Sequence, residues 1–255
     1  MINIPSESEE PKGTILFIHG MCQAAWCWDQ GFMQEFAKAG YNCYAVDLPL
    51  HDQPGKNKAV NSQSIDDYVL FVKETIDQLG KDVIIVGHSM GGFITQKFLE
   101  KHSCSAAILL ASVPPSGILS GSLRFLMRHP DAFPSLITRD IFGPFVKYAD
   151  DLYSKNTTKA DIEGYKKLMR SESFKALLNM MFRPVRTPNL HNVPLLITGA
   201  DQDRVIAVKE IKKTGEFYNQ EVFLFSDYGH NLMLDKGYES ICIKIMNWIG
   251  SAVNE

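Results

Sequence analysis

The chain has no long hydrophobic run and no excess of charge of one sign. None of the apolar runs in its 255 residues approaches the ~20 residues that a membrane-spanning helix needs. With 26 basic and 29 acidic residues the net charge is −3, so there is no overall positive field to attract nucleic acid or an anionic membrane surface. We therefore expect the partner to be a small molecule, with no nucleic acid and no membrane span.

Cysteine is also scarce. The five cysteines are an odd number, and their irregular spacing matches neither a disulfide framework nor a set of metal ligands. Free thiols in a reducing compartment fit best, and the oxidised alternative is a bridge between Cys22 and Cys27. The N-terminal MINIPSESEEPKG carries acids and proline, where a secretory signal needs a basic start and an apolar stretch. These absences together predict a cytoplasmic protein.

Length and composition are those of an ordinary folded domain. Apolar residues make up 45% and charged residues 22% of the chain, which excludes collagen-like, disordered and coiled-coil proteins. At ~100–200 residues per domain, the chain is too short for two full catalytic domains and long enough for one large domain with an insertion.

Short runs of β-branched and aliphatic residues recur along the chain and predict strands. Each run has strand length and little alternation, as expected when both faces of a strand are buried, and this favours a parallel sheet covered by helices. The predicted strands are residues 14–18, 43–46, 83–86, 106–110, 195–198 and 222–225.

The segments between these runs predict helices. Ser64 is a helix N-cap with a carboxylate three places on, apolar residues follow at helical spacing, and Gly80 ends the helix. Similar patterns span residues 28–39, 90–101 and 237–249. Strands that alternate with helices of this length predict an α/β fold with a mostly parallel, doubly wound sheet.

The alternation stops between Pro114 and Val193. This stretch has no clear buried strand; it predicts helices at 123–128, 139–152 and 159–181, and prolines 184, 188 and 194 punctuate its end. We therefore predict an α/β core of residues 1–114 and 191–255 and a helical cap of residues 115–190. Its richness in Phe and Met suits a cap with an apolar, adaptable underside that faces a ligand.

The strongest chemical signal is Gly87-x-Ser89-x-Gly91, which lies directly after a predicted strand and directly before a predicted helix. A sharp strand-to-helix turn leaves room only for small residues beside its apex, and it projects the serine hydroxyl above the sheet edge. The N-terminal amides of the following helix point at any oxyanion that forms there, and the N–H of Met90 is the first expected donor. Ser89 is therefore the candidate nucleophile.

A second oxyanion donor is expected at the end of the first predicted parallel strand. Gly20 follows that strand, and a glycine there lets the backbone N–H of Met21 face Ser89, which completes a two-donor oxyanion hole. His19 is expected to hold this loop rather than carry a proton. His88 is expected to point into the fold, away from the apex.

A serine nucleophile needs a base, and the base needs a group that holds its tautomer. Asp201 and Asp203 follow one predicted strand and His230 follows the last one, where open α/β sheets present their ligand sites. Among seven histidines, His230 alone combines this position with a preceding glycine. It is the candidate general base, and either aspartate could orient it.

These motifs, in this order, resemble those of α/β-hydrolase-fold enzymes over nearly the whole chain apart from the variable cap. The motifs are His19-Gly20, Asp-Leu-Pro at 47–49, Gly-His-Ser-Met-Gly-Gly at 87–92, the aspartate loop at 199–206 and Gly229-His230. The resemblance implies that Ser89 is the nucleophile and His230 the general base and acid. Family loops carry the acid just before an aliphatic pair, so the resemblance favours Asp203, with Asp201 as the alternative.

Within this superfamily, the opening loop at 19–28 is similar to that of plant methylesterases and hydroxynitrile lyases. The lyases carry Thr, Cys and Lys at the positions of Gly20, Met90 and Asn231, and all three markers are missing here. The resemblance therefore implies ester hydrolysis rather than cyanohydrin cleavage. The chain departs from the family at Leu-His-Asp, 50–52, where Gly-His-Gly is usual; we expect a solvated loop there, with an altered pocket mouth as the alternative.

The sequence thus predicts a serine carboxylesterase for small to medium hydrophobic esters, which acts through an acyl-enzyme on Ser89. No metal or organic cofactor is expected. Thioester, lactone or C–C bond hydrolysis by the same residues is the alternative within the fold, and a ligand-binding receptor on a hydrolase scaffold is the alternative outside it. A homodimer formed through the cap is left open.

Overall fold

One sheet forms the centre of the molecule. The computed structural model describes residues 1–80, 82–186, 190 and 192–252, and in this part of the chain seven strands pair in the order β1-β3-β2-β4-β5-β6-β7. All neighbours are parallel except β1, which is antiparallel to β3. The strands are β1 Ile2–Ile4, β2 Gly13–Ile18, β3 Tyr41–Val46, β4 Val83–His88, β5 Ala106–Leu110, β6 Leu195–Ala200 and β7 Val222–Phe225.

The six strands predicted from apolar runs are confirmed to within two residues at each end. The strands β4, β5 and β6 are buried along their whole length, as expected for a parallel sheet that is covered on both faces. The strand β1 was not predicted, because this edge strand has three residues and is only partly buried.

Helices cover the sheet and fill the long connection between β5 and β6. In the described residues they are α1 Phe32–Lys38, α2 Ile65–Leu79, α3 Met90–Leu99, α4 Leu119–Arg128, α5 Phe133–Thr138, α6 Phe142–Lys147, α7 Lys159–Leu168, α8 Phe174–Phe182, α9 Val208–Tyr218 and α10 Glu239–Ala252. The helices α2 and α3 pack against each other, as do α1 and α10. No helix in these residues is long and apolar enough to cross a membrane.

The predicted ends of α2 are both confirmed. The Ser64 hydroxyl accepts a hydrogen bond from the Asp67 N–H at 3.2 Å, and the Asp67 carboxylate accepts one from the Ser64 N–H at 2.7 Å. Gly80 ends the helix with a φ of 111°, a conformation that favours glycine. The predicted helix at 28–39 starts later, at Phe32, because Gly31 interrupts it with the same φ.

The β5–β6 segment, residues 111–194, is where the predicted helices differ most from the structure. The predicted helix 159–181 is wrong: α7 and α8 are separate, since Ser173 caps α8 by accepting from the Ala176 N–H at 3.1 Å. Residues 139–152 form α6 followed by a short 3₁₀ helix, and α5 was not predicted. Pro188 and His191 lie outside the described residues, as do 253–255 of the predicted core. The boundaries of core and cap stay a prediction.

The loop at 50–52 is a second difference. Asp52 is exposed as expected, but His51 is fully buried, because its ring lies between the carbonyl of Pro49 and the carboxylate of Glu172. The expectation of a solvated loop is therefore wrong for His51. All five cysteines are free, so Cys22 and Cys27 do not form the alternative bridge.

Candidate active site

Ser89 occupies the turn between β4 and α3 in a strained backbone conformation. Its φ of 51° and ψ of −113° lie outside the regions that L-residues ordinarily adopt. Three backbone hydrogen bonds hold it there: its N–H donates to the Leu110 carbonyl, and its carbonyl accepts from the N–H groups of Phe93 and Val113, each at 3.1 Å. The surrounding structure thus compensates the strain and fixes the hydroxyl at the sheet edge.

The two glycines that flank the serine are needed for space. A Cβ on Gly87 would lie 2.5 Å from the Gly91 carbonyl oxygen, and one on Gly91 would overlap the Ile18 carbonyl oxygen. Real Cβ atoms do not approach so closely. The expectation that these glycines leave room for the turn is confirmed.

Ser89, His230 and Asp203 form one line of hydrogen bonds. The Nε2 of His230 lies 2.9 Å from the Ser89 Oγ, and the Nδ1 of His230 lies 2.8 Å from the Asp203 Oδ2. All three side chains are buried. Because an ionised carboxylate only accepts, Nδ1 carries the imidazole proton and Nε2 accepts from the serine hydroxyl.

The two candidate aspartates have different partners. The other oxygen of Asp203 accepts from the N–H groups of Val205 and Ile206 at 2.7 and 2.9 Å, which fixes its orientation. Asp201 is exposed and accepts from the Asp227 N–H at 2.8 Å. The structure therefore brings Asp203 to His230 and places Asp201 in the neighbouring turn.

The expected oxyanion donors, Met21 and Met90, belong to two backbone segments next to Ser89. A Cβ on Gly20 would be 3.0 Å from the Ser89 Cβ, so this loop passes directly over the serine, and Met21 lines the same cavity as Ser89. Met90 is the first residue of α3, and its N–H has no acceptor within the helix. A threonine at position 20, as in the lyases, would place its Cβ 2.8 Å from the His88 ring.

His19 holds its loop, as expected. Burial lowers the pKa of His19 to about 3, so the ring is neutral. Its Nδ1 donates to the Gly20 carbonyl at 2.8 Å, and its Nε2 accepts from the Leu48 N–H at 3.1 Å. The histidine therefore fastens the end of β2 to the end of β3.

A buried polar network beside Ser89 was not predicted. The Gln23 side chain accepts from the Gly20 N–H at 3.1 Å and donates to the Asn231 Oδ1 at 3.0 Å. Burial holds the pKa of His88 well below its ordinary value, and its Nε2 lies 3.0 Å from the His230 carbonyl, to which it donates. No sequence motif marks Gln23, which connects the first loop to the histidine loop.

Asp235 fixes the histidine loop from the other side. Its carboxylate is fully buried and accepts from the Gly229 N–H at 2.6 Å and from the Ser154 N–H at 3.1 Å. A Cβ on Gly229 would lie 2.5 Å from the Ser154 nitrogen, so the two backbones touch here. The glycine before His230 is therefore required by close contact with the β5–β6 segment.

A cavity of about 130 Å³ opens onto Ser89 and His230. Most of its wall is apolar and comes from the β5–β6 segment, with Ile118, Phe125, Phe145, Leu177 and Met181 among the lining residues. Phe133 and Phe182 of the same segment are instead exposed on the outside. Part of the Phe- and Met-rich set thus faces the cavity, as expected.

Charged groups are few in this region. Within the described part of the chain no three His, Cys, Asp or Glu side chains are placed to hold a metal ion. The Asp, Glu, Lys and Arg residues that line the cavity are Arg128, Asp151 and Arg204.

A mostly parallel sheet with a serine, a histidine and an aspartate aligned at its carboxyl edge defines an α/β hydrolase. The chain belongs to the alpha/beta hydrolase family, whose model matches residues 15–239.

Known relatives agree with this assignment. The chain is 36% identical to Methylesterase 7 of Arabidopsis thaliana over 30% of each protein, and 30% identical to Norfluorocurarine synthase 1 of a Strychnos species over 67% of this chain and 65% of that protein. The matches thus span less than two thirds of these relatives. The fold is similar to that of an esterase from Exiguobacterium antarcticum, with a TM-score of 0.77, 17% identity and coverage of 98% of this chain and 94% of that one.

Proposed function

We propose that the protein is a serine hydrolase of carboxylic esters that works through an acyl-enzyme on Ser89. The observation that carries this proposal is the line of hydrogen bonds from Ser89 through His230 to Asp203, at 2.9 and 2.8 Å, in a buried site. This arrangement is the one that nucleophilic acyl transfer requires.

The acylation step follows from this geometry. The Ser89 Oγ attacks the ester carbonyl while the His230 Nε2 removes its proton, and Asp203 stabilises the imidazolium that results. The carbonyl oxygen becomes an oxyanion, which the N–H groups of Met21 and Met90 bind. His230 then returns the proton to the leaving alcohol, and the acyl group stays on Ser89.

Deacylation repeats the same steps with water. His230 removes a proton from a water molecule, which attacks the acyl carbonyl, and the tetrahedral intermediate collapses to release the acid and restore Ser89. Every proton moves through side chains of this chain, so the proposed mechanism uses no cofactor.

The proposed substrate class rests on the apolar wall of the cavity and on the names of the similar proteins. An apolar cavity of about 130 Å³ favours a hydrophobic group of modest size, since it is smaller than the ~300–1,000 Å³ of most ligand pockets. The relatives named methylesterase and esterase support ester cleavage. We also propose that residues 115–190 act as a cap over this cavity, because the β5–β6 segment supplies most of its wall.

A cytoplasmic location is part of the proposal. The five free thiols support it, because such thiols persist in a reducing compartment.

The test is the kinetics of an activated ester. With 4-nitrophenyl acetate we expect a burst of one nitrophenolate per site, which Ser89→Ala abolishes and the exposed control Ser251→Ala retains. A fluorophosphonate should label Ser89 in the wild-type protein. Undiminished turnover in Ser89→Ala would contradict the serine mechanism, and a failure of the fluorophosphonate to label Ser89 would favour the receptor alternative.

A further inference from the structure

Three charged side chains meet at the wall of the cavity. The Asp151 Oδ2 accepts from Arg128 at 2.8 Å, and its Oδ1 accepts from Arg204 at 3.0 Å. The His129 Nε2 also lies 2.8 Å from the Asp151 Oδ2. Arg128 belongs to α4 and Asp151 to the 3₁₀ helix before α7, whereas Arg204 lies in the loop after β6. The cluster therefore joins the β5–β6 segment to the loop that carries Asp203.

This cluster has one negative charge and at least two positive charges. Burial favours a higher pKa for the Asp151 carboxyl, but hydrogen bonds from His129, Arg128 and Arg204 hold it below its ordinary value, so the group is ionised. Asp203 is buried against His230 and is not among the residues that line the cavity, where Arg128 and Arg204 face the single carboxylate of Asp151. The wall of the cavity thus carries an excess of positive charge.

The Arg204 guanidinium has N–H groups that are not used within the described residues. A guanidinium has five N–H donors, and within the described residues the Arg204 side chain donates to Asp151 alone, through one nitrogen. Its side chain is 62% exposed although it lines the cavity. A planar guanidinium with unused N–H groups is the side chain best suited to bind a carboxylate.

The position of Arg204 relates this charge to the reacting atoms. It directly follows Asp203, whose carboxylate contacts His230, and both Arg204 and Ser89 line the same small cavity. A substrate that spans this cavity would hold its ester at Ser89 and a second group at the guanidinium, with the apolar wall against the carbons between them.

We propose that Arg204, supported by Arg128, forms a subsite for a carboxylate on the substrate, so that the preferred ester carries a negative charge at its other end. This inference rests on the proposed ester hydrolysis. It places the preferred substrates among half-esters of short dicarboxylic acids, in which an apolar chain separates the ester from a free carboxylate.

The test compares substrates of equal shape and different charge. Monomethyl esters of butanedioic, pentanedioic and hexanedioic acid are assayed against the matching esters whose carboxylate is replaced by a carboxamide. For at least one chain length, we expect kcat/KM to be about tenfold or more higher for the carboxylate ester than for the carboxamide ester. A factor of this size is what the loss of one hydrogen bond to a charged group produces. In Arg204→Gln this ratio should fall to about one, whereas Arg183→Gln, an exposed arginine paired with Asp66, should leave it unchanged.

Salt gives a second measurement that needs no variant. Raising the ionic strength should lower kcat/KM for the carboxylate esters and leave that for the carboxamide esters nearly constant. A wild-type ratio near one at every chain length, or a ratio that survives in Arg204→Gln, would overturn the subsite while ester hydrolysis stands. If neither series is hydrolysed and 4-nitrophenyl acetate gives no burst, the proposed function fails together with the subsite.

Discussion

At the scale of single residues, the strained backbone of Ser89 and the small residues around it together expose the serine hydroxyl at the sheet edge. The φ of 51° at Ser89 is held by hydrogen bonds to Leu110, Phe93 and Val113, which belong to β5, α3 and the loop after β5. Strain of this kind persists only where the surrounding structure compensates it, and it is common where a reactive group must be exposed.

The two aspartates of the 199–206 loop can be separated by substitution. In Asp203→Asn the side-chain amide can donate to the His230 Nδ1 and favour the wrong tautomer, so we expect kcat for an ester to fall by about 10⁴-fold. In Asp201→Asn, which changes an exposed residue that contacts the Asp227 N–H, kcat should stay close to that of the wild type. Loss of turnover in Asp201→Asn alone would contradict the assignment of Asp203.

The close contact at Gly91 predicts a large effect on stability. A methyl group at this position overlaps the Ile18 carbonyl oxygen, so Gly91→Ala should lower the free energy of unfolding by about 1–3 kcal/mol, measured by urea denaturation. The control is Gly164→Ala in α7, where an added Cβ lies in open space. That change should raise stability by about 0.5–1 kcal/mol, because alanine favours a helix; equal effects of the two substitutions would contradict the steric argument.

At the scale of elements, a buried ion pair joins the loop after β3 to the break between α7 and α8. The His51 Nε2 lies 3.1 Å from the Glu172 Oε2 and its Nδ1 lies 3.1 Å from the Pro49 carbonyl, so both ring nitrogens face acceptors and the ring is a cation. Glu172 also accepts from the Tyr68 hydroxyl at 3.1 Å and from the Ser173 N–H at 2.7 Å. The pair is fully buried and satisfied.

Removing one partner of this pair should be much worse than removing both. Glu172→Gln leaves a buried imidazolium without its counter-ion, and we expect a loss of about 3–5 kcal/mol in the free energy of unfolding. The double variant His51→Phe/Glu172→Leu should lose less free energy of unfolding than the sum of the losses in His51→Phe alone and Glu172→Leu alone, as denaturant unfolding would show. Glu163→Gln, in an exposed pair with Lys166, is the control and should change stability little. If the stability losses of the two single variants simply add up in the double variant, His51 and Glu172 do not stabilise each other.

The same pair predicts how stability depends on pH. Burial lowers the pKa of His51, but the Glu172 charge and hydrogen bonds outweigh this effect and raise the pKa above its ordinary 6.5. The stability that charged His51 contributes is therefore fully present below pH 6.5 and is lost as the pH rises through the raised pKa. Burial raises the pKa of Glu172, but His51 outweighs this effect and lowers the pKa below its ordinary 4.5. The stability that ionised Glu172 contributes is therefore fully present above pH 4.5 and is lost as the pH falls through the lowered pKa.

The stability difference between wild type and the double variant should therefore be largest between about pH 4.5 and 6.5. The other titratable or charged groups that face His51 are Tyr68, His19 and Arg170, and both proteins contain them. Urea denaturation of both proteins across pH 3–9 measures the difference. A stability difference that does not become smaller both below pH 4.5 and above pH 6.5 would contradict the assignment of a charged His51–Glu172 pair.

At the scale of the whole molecule, polar contacts hold the β5–β6 segment to the rest of the chain. Asp235 accepts from Ser154 beneath the histidine loop, and Asp151 accepts from Arg204 beside the cavity. The Arg170 N–H donates to the Cys22 carbonyl at 2.9 Å. These contacts lie on different sides of the site, so they fix the apolar wall of the cavity relative to Ser89.

The burial of the thiols predicts that the native protein resists thiol reagents. Burial raises the pKa of all five cysteines, to about 12 for Cys43 and Cys104, so little thiolate forms near neutral pH. Titration with a disulfide reagent should find almost no reactive thiol in the native protein and five after unfolding in denaturant. Rapid reaction of any cysteine before unfolding would show that the fold opens at that residue.

Much of the fold follows from local pattern, whereas the buried polar contacts do not. The strands β2–β7 and the helix α2 were predicted from apolar runs and from the Ser64 and Gly80 signals, because these features act within a few residues. The break between α7 and α8 was missed, since the residues at 169–173 leave the helix to reach the loop after β3. Gln23 was missed because its partner Asn231 lies 208 residues away in the chain.

The sequence by itself determined the α/β fold and the place of Ser89 and His230, because a glycine-flanked turn between strand and helix and the order of the strands constrain the backbone locally. The motif favoured Asp203, but only the tertiary structure decided that its carboxylate contacts His230, that His51 is buried against Glu172, and that Arg128 and Arg204 share Asp151 at the cavity. The physical reason is that such contacts join residues far apart in the chain. Pairing of β6 with β7 brings Asp203 to His230, and packing of the β5–β6 segment on the sheet makes the other contacts.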